Sequence, residues 1–446
     1  MGKLFGTNGI RGVFGKELTL ELALKVSYAL AIYYNDKPIL VGYDGRHSNT
    51  VLSRVVRAGL NAMGIDTFDA GLIPTPCLQY ATRELGYKGG VMITASHNPP
   101  EYNGIKVMAD DGVEISREEE AKVEDIYFKN DFQYAKIIGN DAKEDRAVET
   151  YINGIESLVD VNSIKRREFT VVLDLGNGAQ AITAPRLLRE LGCKVITINE
   201  EINGSFPGRG SEPTPDNLQE LSDTVKANNA DLGIAYDGDG DRSMFCDENG
   251  TIYPGDRSGA VLLEHVLSKD KGIIVTPINS SIIIDKIAEK FGCKIIKTKV
   301  GSVEVSRKML EVSAIAGLEE NGGFMYGKHI AVRDGAMSSA LMLEALLKGR
   351  YSELLSKLPK YYSYKTKFPC TKEQSSRVIE YLIKETDGKV ETLDGAKIWI
   401  DDNTWIMVRQ SGTEPIMRLY AESDDKGKLD TIVKEYTDKI KGIINS

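Results

Sequence analysis

The chain has little cysteine, and what it has is scattered. Cys77, Cys193, Cys246, Cys293 and Cys370 are an odd number in 446 residues, and no two have C-x-x-C spacing. That argues against a disulfide framework and reads as reduced, mostly buried thiols of a cytoplasmic protein. No apolar run is long enough to cross a bilayer, and the opening Met1-Gly-Lys-Leu-Phe-Gly6 lacks a signal-peptide core, so no membrane partner is expected. Low-complexity tracts and long disordered linkers are missing too. Positive charge is not in excess: 56 Lys and Arg stand against 65 Asp and Glu, a formal net charge of −9. That balance excludes general binding to nucleic acid or an anionic membrane. A small anionic substrate is still allowed, because a local cluster of Arg and Lys reverses the sign inside a cleft.

With 41% hydrophobic and 27% charged residues, the composition is that of an ordinary globular protein, and the length is too great for one core. The chain repeats itself three times. Ile39-Leu-Val-Gly-Tyr-Asp44 reads as a strand, followed by a helical pattern (Leu52, Val55, Val56, Leu60) and Met63-Gly64-Ile65 before a new strand. Val171-Val-Leu-Asp174 opens the second copy, whose helix carries Leu187, Leu188 and Leu191. Gly272-Ile-Ile-Val-Thr276 opens the third, with a helix over 282–290. Each is a βαβ-type unit, in which the crossover helix implies parallel strands. The first two copies also run on to Pro74-Thr75-Pro76 and Pro213-Thr214-Pro215. The last part differs: Lys397–Ile400, Thr404–Val408 and Ile416–Tyr420 read as short antiparallel strands before a final helix. The expected fold is therefore α/β, with three related βαβ-type domains of mixed or parallel sheets (1–148, 149–254, 255–364) and a C-terminal α+β domain (365–446). The first boundary is expected in a charged helix over Lys143–Tyr151 and the last near Tyr361–Tyr364.

Four segments carry chemistry. The apolar run Gly90-Val-Met-Ile93 delivers Thr94-Ala-Ser96-His97-Asn98 into a Pro99-Pro100 turn, the place where α/β proteins keep reactive groups. A serine there is a nucleophile or merely an N-cap; Lys106, just beyond, is a candidate phosphate contact or proton carrier. In Asp237-Gly-Asp239-Gly-Asp241-Arg242 the carboxylates alternate, so an extended chain aims all three to one side. Hard oxygen ligands suit Mg²⁺ or Ca²⁺. Asp237, Asp239, Asp241 and Glu248 also fall at positions 1, 3, 5 and 12 of a Ca²⁺-binding EF-hand loop, but Arg242 stands where that loop needs Gly, and a strand rather than a helix precedes it. Arg409-Gln-Ser411-Gly412-Thr413, with Arg418 beyond, makes a plausible phosphate cradle of guanidinium forks, hydroxyls and turn N–H groups. Gly317-Leu-Glu319-Glu320-Asn321-Gly-Gly323 offers carboxylates to sugar hydroxyls, and Lys328, His329 and Arg333 follow it as candidate proton carriers or phosphate contacts.

Together these segments resemble the α-D-phosphohexomutase superfamily, the phosphoglucomutase and phosphomannomutase enzymes, along essentially the whole chain. Thr94–Pro99 resembles the family's phosphoserine loop, Asp237–Arg242 its Mg²⁺ loop, Gly317–Gly323 its sugar loop, Arg409–Pro415 its phosphate-binding loop, and Gly6-Thr-Asn-Gly-Ile-Arg11-Gly12 its N-terminal signature, with Arg11 facing the active site. The resemblance implies four domains around a central cleft, Ser96 carried as phosphoserine, and Mg²⁺ held by Asp237, Asp239, Asp241 and a phosphoserine oxygen. It implies exchange of hexose 1-phosphate and hexose 6-phosphate through a hexose 1,6-bisphosphate that also serves as activator, in a monomer or homodimer. Ser96, His97, Lys106, Arg11, Arg242 and His329 are then the expected catalytic residues. Glu319, Asn321, Arg333, Arg409, Ser411, Gly412, Thr413 and Arg418 are the expected substrate contacts. One departure stands out. Many bacterial members read Gly-Glu-x-Ser-Gly-His in the sugar loop; here Asn321 replaces the Ser and Gly323 the His, and His329 is the expected substitute, as in another branch. Glucose and mannose phosphates are the default substrates, with glucosamine phosphate the competitor because the Gly6–Gly12 opening also resembles phosphoglucosamine mutases. A phosphatase on the same apparatus, and a non-enzymatic Ca²⁺- or sugar-phosphate-binding protein, are the rival readings.

Overall fold

The computed structural model describes residues 4–35, 38–411 and 415–445. Three of its four sheets share one strand order. In the first, Tyr102–Met108, Gly90–Ile93, Ile39–Tyr43 and Thr67–Leu72 lie side by side. In the second the same places are taken by Ser243–Cys246, Leu232–Tyr236, Thr170–Asp174 and Lys194–Ile198, and in the third by Phe324–Tyr326, Ala316–Leu318, Ile274–Pro277 and Ile295–Thr298. In every case the last three strands are parallel and the first runs antiparallel. The strands that open the three sequence repeats are the central ones, buried on both faces, which is why they read as continuous apolar runs. The crossover helices fall where the periodicity places them, at Asn49–Ala62, Ala184–Glu190 and Ile282–Phe291.

This shared order has a functional consequence. The connection from the third parallel strand to its antiparallel neighbour is the equivalent turn in each unit. It spans 94–101 in the first, 237–242 in the second and 319–323 in the third. Those are the serine, aspartate and glutamate segments of the sequence. The three candidate segments occupy one corner of the unit, three times over.

The helix over Gly335–Ala345 is buried along its entire length, and its polar residues are partnered: Ser338 and Ser339 donate to backbone carbonyls one turn back and Glu344 pairs with Lys269. Asp334 caps it through the Met337 N–H (2.9 Å), and the Tyr236 and Ser339 hydroxyls meet at 2.7 Å, so it fastens the second unit to the third. The charged helix expected over Lys143–Tyr151 starts later, at Ala147. Asp141–Lys143 instead forms a short parallel edge strand on the first sheet, where exposed charged residues suit an unpaired edge.

The fourth sheet is wholly antiparallel, ordered Tyr362–Pro369, Ile416–Ser423, Thr404–Gln410, Ala396–Asp401 and Val390–Glu391. All eight residues of Tyr362–Pro369 pair with Ile416–Ser423, so a division at 364/365 falls inside that strand. One face packs on the helices Lys372–Lys384 and Lys426–Asn445; the other sets Trp405, Met407 and Tyr420 against Ile278 and Ile282 of the third unit.

Lys397 is buried in this interface. Its ammonium donates to the Ile278 carbonyl (2.8 Å) and lies over the Trp405 ring (4.0 Å from the centroid). Burial, with Lys297 nearby, pushes its pKa down to about 7. An unfolded lysine keeps its proton to about pH 10.4, so between those values the unfolded chain binds more protons and stability rises with pH. Lys397→Met is expected to remove this contribution. Melting temperature should then climb less steeply from about pH 7 to pH 10 than in the wild type; equal slopes would show that Lys397 does not titrate there.

Candidate active site

Ser96 is fully buried and adopts φ +52°, a left-handed conformation that costs a non-glycine residue free energy and persists only where surroundings enforce it. The enforcement is visible. Arg46 donates to four carbonyls of the turn, those of Ser96 (2.8 Å), Asn98 (2.6 Å), Pro99 (2.6 Å) and Tyr102 (2.9 Å). Thr94 Oγ1 accepts from the Ser96 N–H (2.8 Å) and donates to Asp44 (2.5 Å). The Ser211 hydroxyl faces the carbonyls of His97 and Asn98 (2.7 and 2.8 Å). Gly238 meets the same turn from the aspartate side: a Cβ there would lie 2.7 Å from the Ser96 carbonyl oxygen.

The Ser96 hydroxyl donates to Asp237 (3.0 Å), and His97 Nδ1 lies 3.3 Å from it. Oxygens of Asp237, Asp239 and Asp241 come within 4.8 Å of one another. They converge in a tight turn with Gly240 at φ +77°, not along an extended strand as their alternation suggests. Lys106 donates to Asp239 (2.8 Å) and Asp241 (3.3 Å), and Thr75 donates to Asp239 (2.6 Å). The remaining oxygens, Oδ1 of Asp239 and of Asp241, are buried with no hydrogen-bond partner among the described residues, a costly state that a cation would relieve. Burial and the two neighbouring carboxylates raise the Asp237 carboxyl well above its usual range. Burial pushes Asp239 the same way, but Lys106 and Thr75 outweigh it and hold that carboxyl low. Burial opposes the charge on Lys106 as well, yet the two aspartates keep it a firm ammonium.

Other cations surround the group. Arg333 pairs with Asp241 (2.6 Å) and Glu319 (3.2 Å), which brings the sugar-loop glutamate to the cluster. Arg242 bonds Asp237 through its backbone N–H (3.1 Å) and Glu212 through its guanidinium (3.3 Å). Arg11 donates to Asn98 (2.8 Å), and its Nε and Nη2 are enclosed with no partner among the described residues. The charge on Arg242, then burial, Arg11 and Arg333, keep His97 a neutral imidazole. Asn321 turns inward to accept from the Gly323 N–H (3.2 Å), and the Gly322 carbonyl accepts from the Ser243 N–H (3.2 Å), so the 319–323 loop and the aspartate turn are one packed unit. Glu320, beside them, forms an ion pair with Lys365 of the fourth sheet.

One expectation is corrected, and one rival reading is ruled out. His329 is not brought to this cluster: it is buried, stacked on Tyr80 (4.1 Å between ring centroids) with Tyr151 at 5.7 Å, and its nearest charge is Asp334 (3.4 Å). Its ring fills space between units, so it cannot replace the histidine missing at Gly323. Glu248 is not a fourth calcium ligand either; it bonds Ser352, and the aspartates sit between two strands, which removes the EF-hand reading.

Arg409 and Arg418 are directly opposed on neighbouring strands, and Lys367 is the next residue in that row. Like charges in register are unfavourable unless an anion lies among them. They continue the face that buries Trp405, Met407 and Tyr420. Ser411, at the end of its strand, is buried and bonds Ile416 through its N–H (2.9 Å); Gly412 and Thr413 fall outside the described residues. Asp44, Arg46, Thr75, Ser211 and Lys367 were not singled out in the sequence. Only Thr75 carried a signal, the Pro-Thr-Pro repeated at 213–215.

A serine held in strain beside three carboxylates, with Lys106, Arg242, Arg333 and Arg11 around it, has the charge that phosphoryl transfer calls for. The comparisons agree. Family models described as phosphoglucomutase/phosphomannomutase alpha/beta/alpha domains I, II and III match residues 2–134, 149–250 and 254–362, and the C-terminal domain model matches 366–439. The chain is 44% identical to a phosphoglucosamine/phosphogalactosamine mutase of Sulfurisphaera tokodaii, over 99% of this chain and 100% of that protein. It is 43% identical to a phosphoglucomutase/phosphomannomutase of Thermococcus kodakarensis, with the same coverage. A crystal structure of a phosphoglucomutase/phosphomannomutase family protein from Burkholderia thailandensis superposes with a TM-score of 0.89 at 27% identity, covering 99% of this chain and 97% of that one. The chain belongs to the phosphoglucomutase/phosphomannomutase family, within the α-D-phosphohexomutase superfamily, whose members are mutases. Among the described residues no helix is long and apolar enough to cross a membrane.

Proposed function

We propose that this mutase exchanges hexose 1-phosphate and hexose 6-phosphate through phospho-Ser96 and a hexose 1,6-bisphosphate. The observation that carries the reading is Ser96 itself, buried, strained and hydrogen-bonded to a triad of aspartates. In the first half-reaction the bond from phosphorus to Ser96 Oγ breaks as phosphorus bonds the free sugar hydroxyl. His97, neutral and 3.3 Å from Ser96 Oγ, takes the hydroxyl proton and returns it to the departing Ser96 Oγ. Lys106, Arg11, Arg242 and Arg333 supply positive charge to the phosphoryl oxygens, the main requirement of such a transfer. The bisphosphate then turns over and its other phosphate returns to Ser96.

Asp237, Asp239 and Asp241 suit Mg²⁺, with an oxygen of phospho-Ser96 completing the set; their two orphaned oxygens support this. When bound, the ion supplies charge neutralisation at the transferring group. Glu319 is assigned to the sugar hydroxyls, beside Asn321. The row Arg409, Arg418 and Lys367, with Ser411 and the segment through Gly412 and Thr413, anchors the distal phosphate.

Glucose, mannose and glucosamine phosphates all remain substrates on this reading, because the two relatives of nearly equal identity carry names from both classes. ³¹P NMR of glucose 1-phosphate with protein, Mg²⁺ and a trace of glucose 1,6-bisphosphate is expected to show a growing 6-phosphate signal. Glucosamine 1-phosphate in the same tube ranks the sugars. Release of inorganic phosphate alone would make the protein a phosphatase.

A further inference from the structure

The phosphate-binding row is tied to the metal cluster by hydrogen bonds that run through the third unit. Oδ2 of Asp394 accepts from Arg409 Nε (3.1 Å) and from the Val300 N–H (3.0 Å). One carboxylate oxygen thus joins the phosphate row to the loop after strand Ile295–Thr298. Asp394 reaches Arg409 because Gly395 follows it at φ +86°, where a Cβ would lie 2.2 Å from the Val408 carbonyl oxygen; only glycine allows the strands this close. Two residues beyond Val300, the Ser302 hydroxyl meets the Asn8 side chain (3.0 Å). With its amide turned to satisfy both ends, Asn8 also accepts from Arg333 Nη2 (3.2 Å). Arg333 bonds Asp241 and Glu319. The path from Arg409 to the aspartates is therefore Asp394, Val300–Ser302, Asn8 and Arg333, and from end to end it touches all four units.

The geometry points to Asp394 as a positioning residue that makes capture of the distal phosphate and seating of the Val300–Ser302 loop a single event. This rests on the mutase reading above. A guanidinium held at Nε keeps two terminal nitrogens for a bidentate phosphate. A phosphate drawn to Arg409 therefore pulls on the oxygen that also holds Val300. An acceptor sugar carrying a phosphate gains from this linkage; one without a phosphate does not. Asp394 touches neither reacting oxygen, so its effect is confined to discrimination.

The test compares phosphoryl transfer from phospho-Ser96 to glucose 1-phosphate and to free glucose in the wild type, Asp394→Ala and Asp394→Glu. The wild type is expected to favour the phosphorylated acceptor strongly. Asp394→Ala is expected to lower that preference about tenfold, through a slower reaction with glucose 1-phosphate and an unchanged one with glucose. Asp394→Glu, which keeps the charge, is expected to recover part of it. Parallel loss with both acceptors, or an unchanged preference, overturns the assignment. A wild-type protein that transfers to neither acceptor sinks the mutase reading itself, a result separable from the other two.

Discussion

Ser96→Ala protein is expected to fold and to turn over hexose phosphate about 10⁴-fold more slowly or worse, the scale seen when a covalent nucleophile is removed from a working site. The two halves of that expectation have different physical sources. The turn is held through main-chain carbonyls by Arg46 and through the backbone N–H by Thr94, none of which requires the hydroxyl. The hydroxyl's own bond is to Asp237 (3.0 Å), and losing one such bond costs about 1 kcal/mol. The chemistry loses its only acceptor of the phosphoryl group. Mutase rate, melting temperature and a phosphoprotein stain on the same preparation check all three statements. Full activity would dismiss the covalent route and leave direct transfer between two bound sugars. A collapsed melting temperature would mean that the strain at Ser96 is supported by its side chain after all.

The second large effect is expected at Asp239, where Asp239→Ala should lower activity by roughly 10²- to 10³-fold, on the scale of removing one electrostatic support from a transition state. The mechanism is double. Asp239 offers a cation one buried free oxygen, and it is the nearer of the two partners of Lys106. The effect on stability depends on which interaction is larger. Without the carboxylate, repulsion inside the acidic group falls, but its oxygens lie up to 4.8 Å apart whereas Lys106 is 2.8 Å away. Attraction at the shorter distance wins, so a net loss of about 2 kcal/mol is expected, softened because Asp241 still faces the ammonium. Calorimetric titration with Mg²⁺ should show weaker binding in the variant, and the Mg²⁺ needed for half-maximal rate should rise with it. An unchanged Mg²⁺ requirement would remove Asp239 from the metal set.

How the site is divided between sequence and structure can be argued from particular residues. The aspartate turn and the serine turn were legible because their chemistry is local: Asp237, Asp239 and Asp241 lie within five residues, and Ser96 ends an apolar strand. His329 was misplaced by the same reasoning. Nearness along the chain to Glu319 and Arg333 suggested a shared site, but the turn after Phe324–Tyr326 sends its ring back against Tyr80. Arg46 could not be found at all. Its function is to satisfy four carbonyls of a turn fifty residues later, and a carbonyl leaves no trace in a sequence.

By itself the sequence determined the repeat of βαβ units, the mixed-sheet fold with an antiparallel C-terminal sheet, and the candidate reactive groups, because apolar period, turn residues and clustered carboxylates are short-range properties. Only the tertiary structure decided that the three reactive turns are equivalent corners of one repeated unit, that Lys106 neutralises aspartates more than 130 residues away, and that Arg409 faces Arg418 across two strands. Those pairings depend on strand order and register, which are set by burial of each sheet against its neighbours rather than by any local pattern.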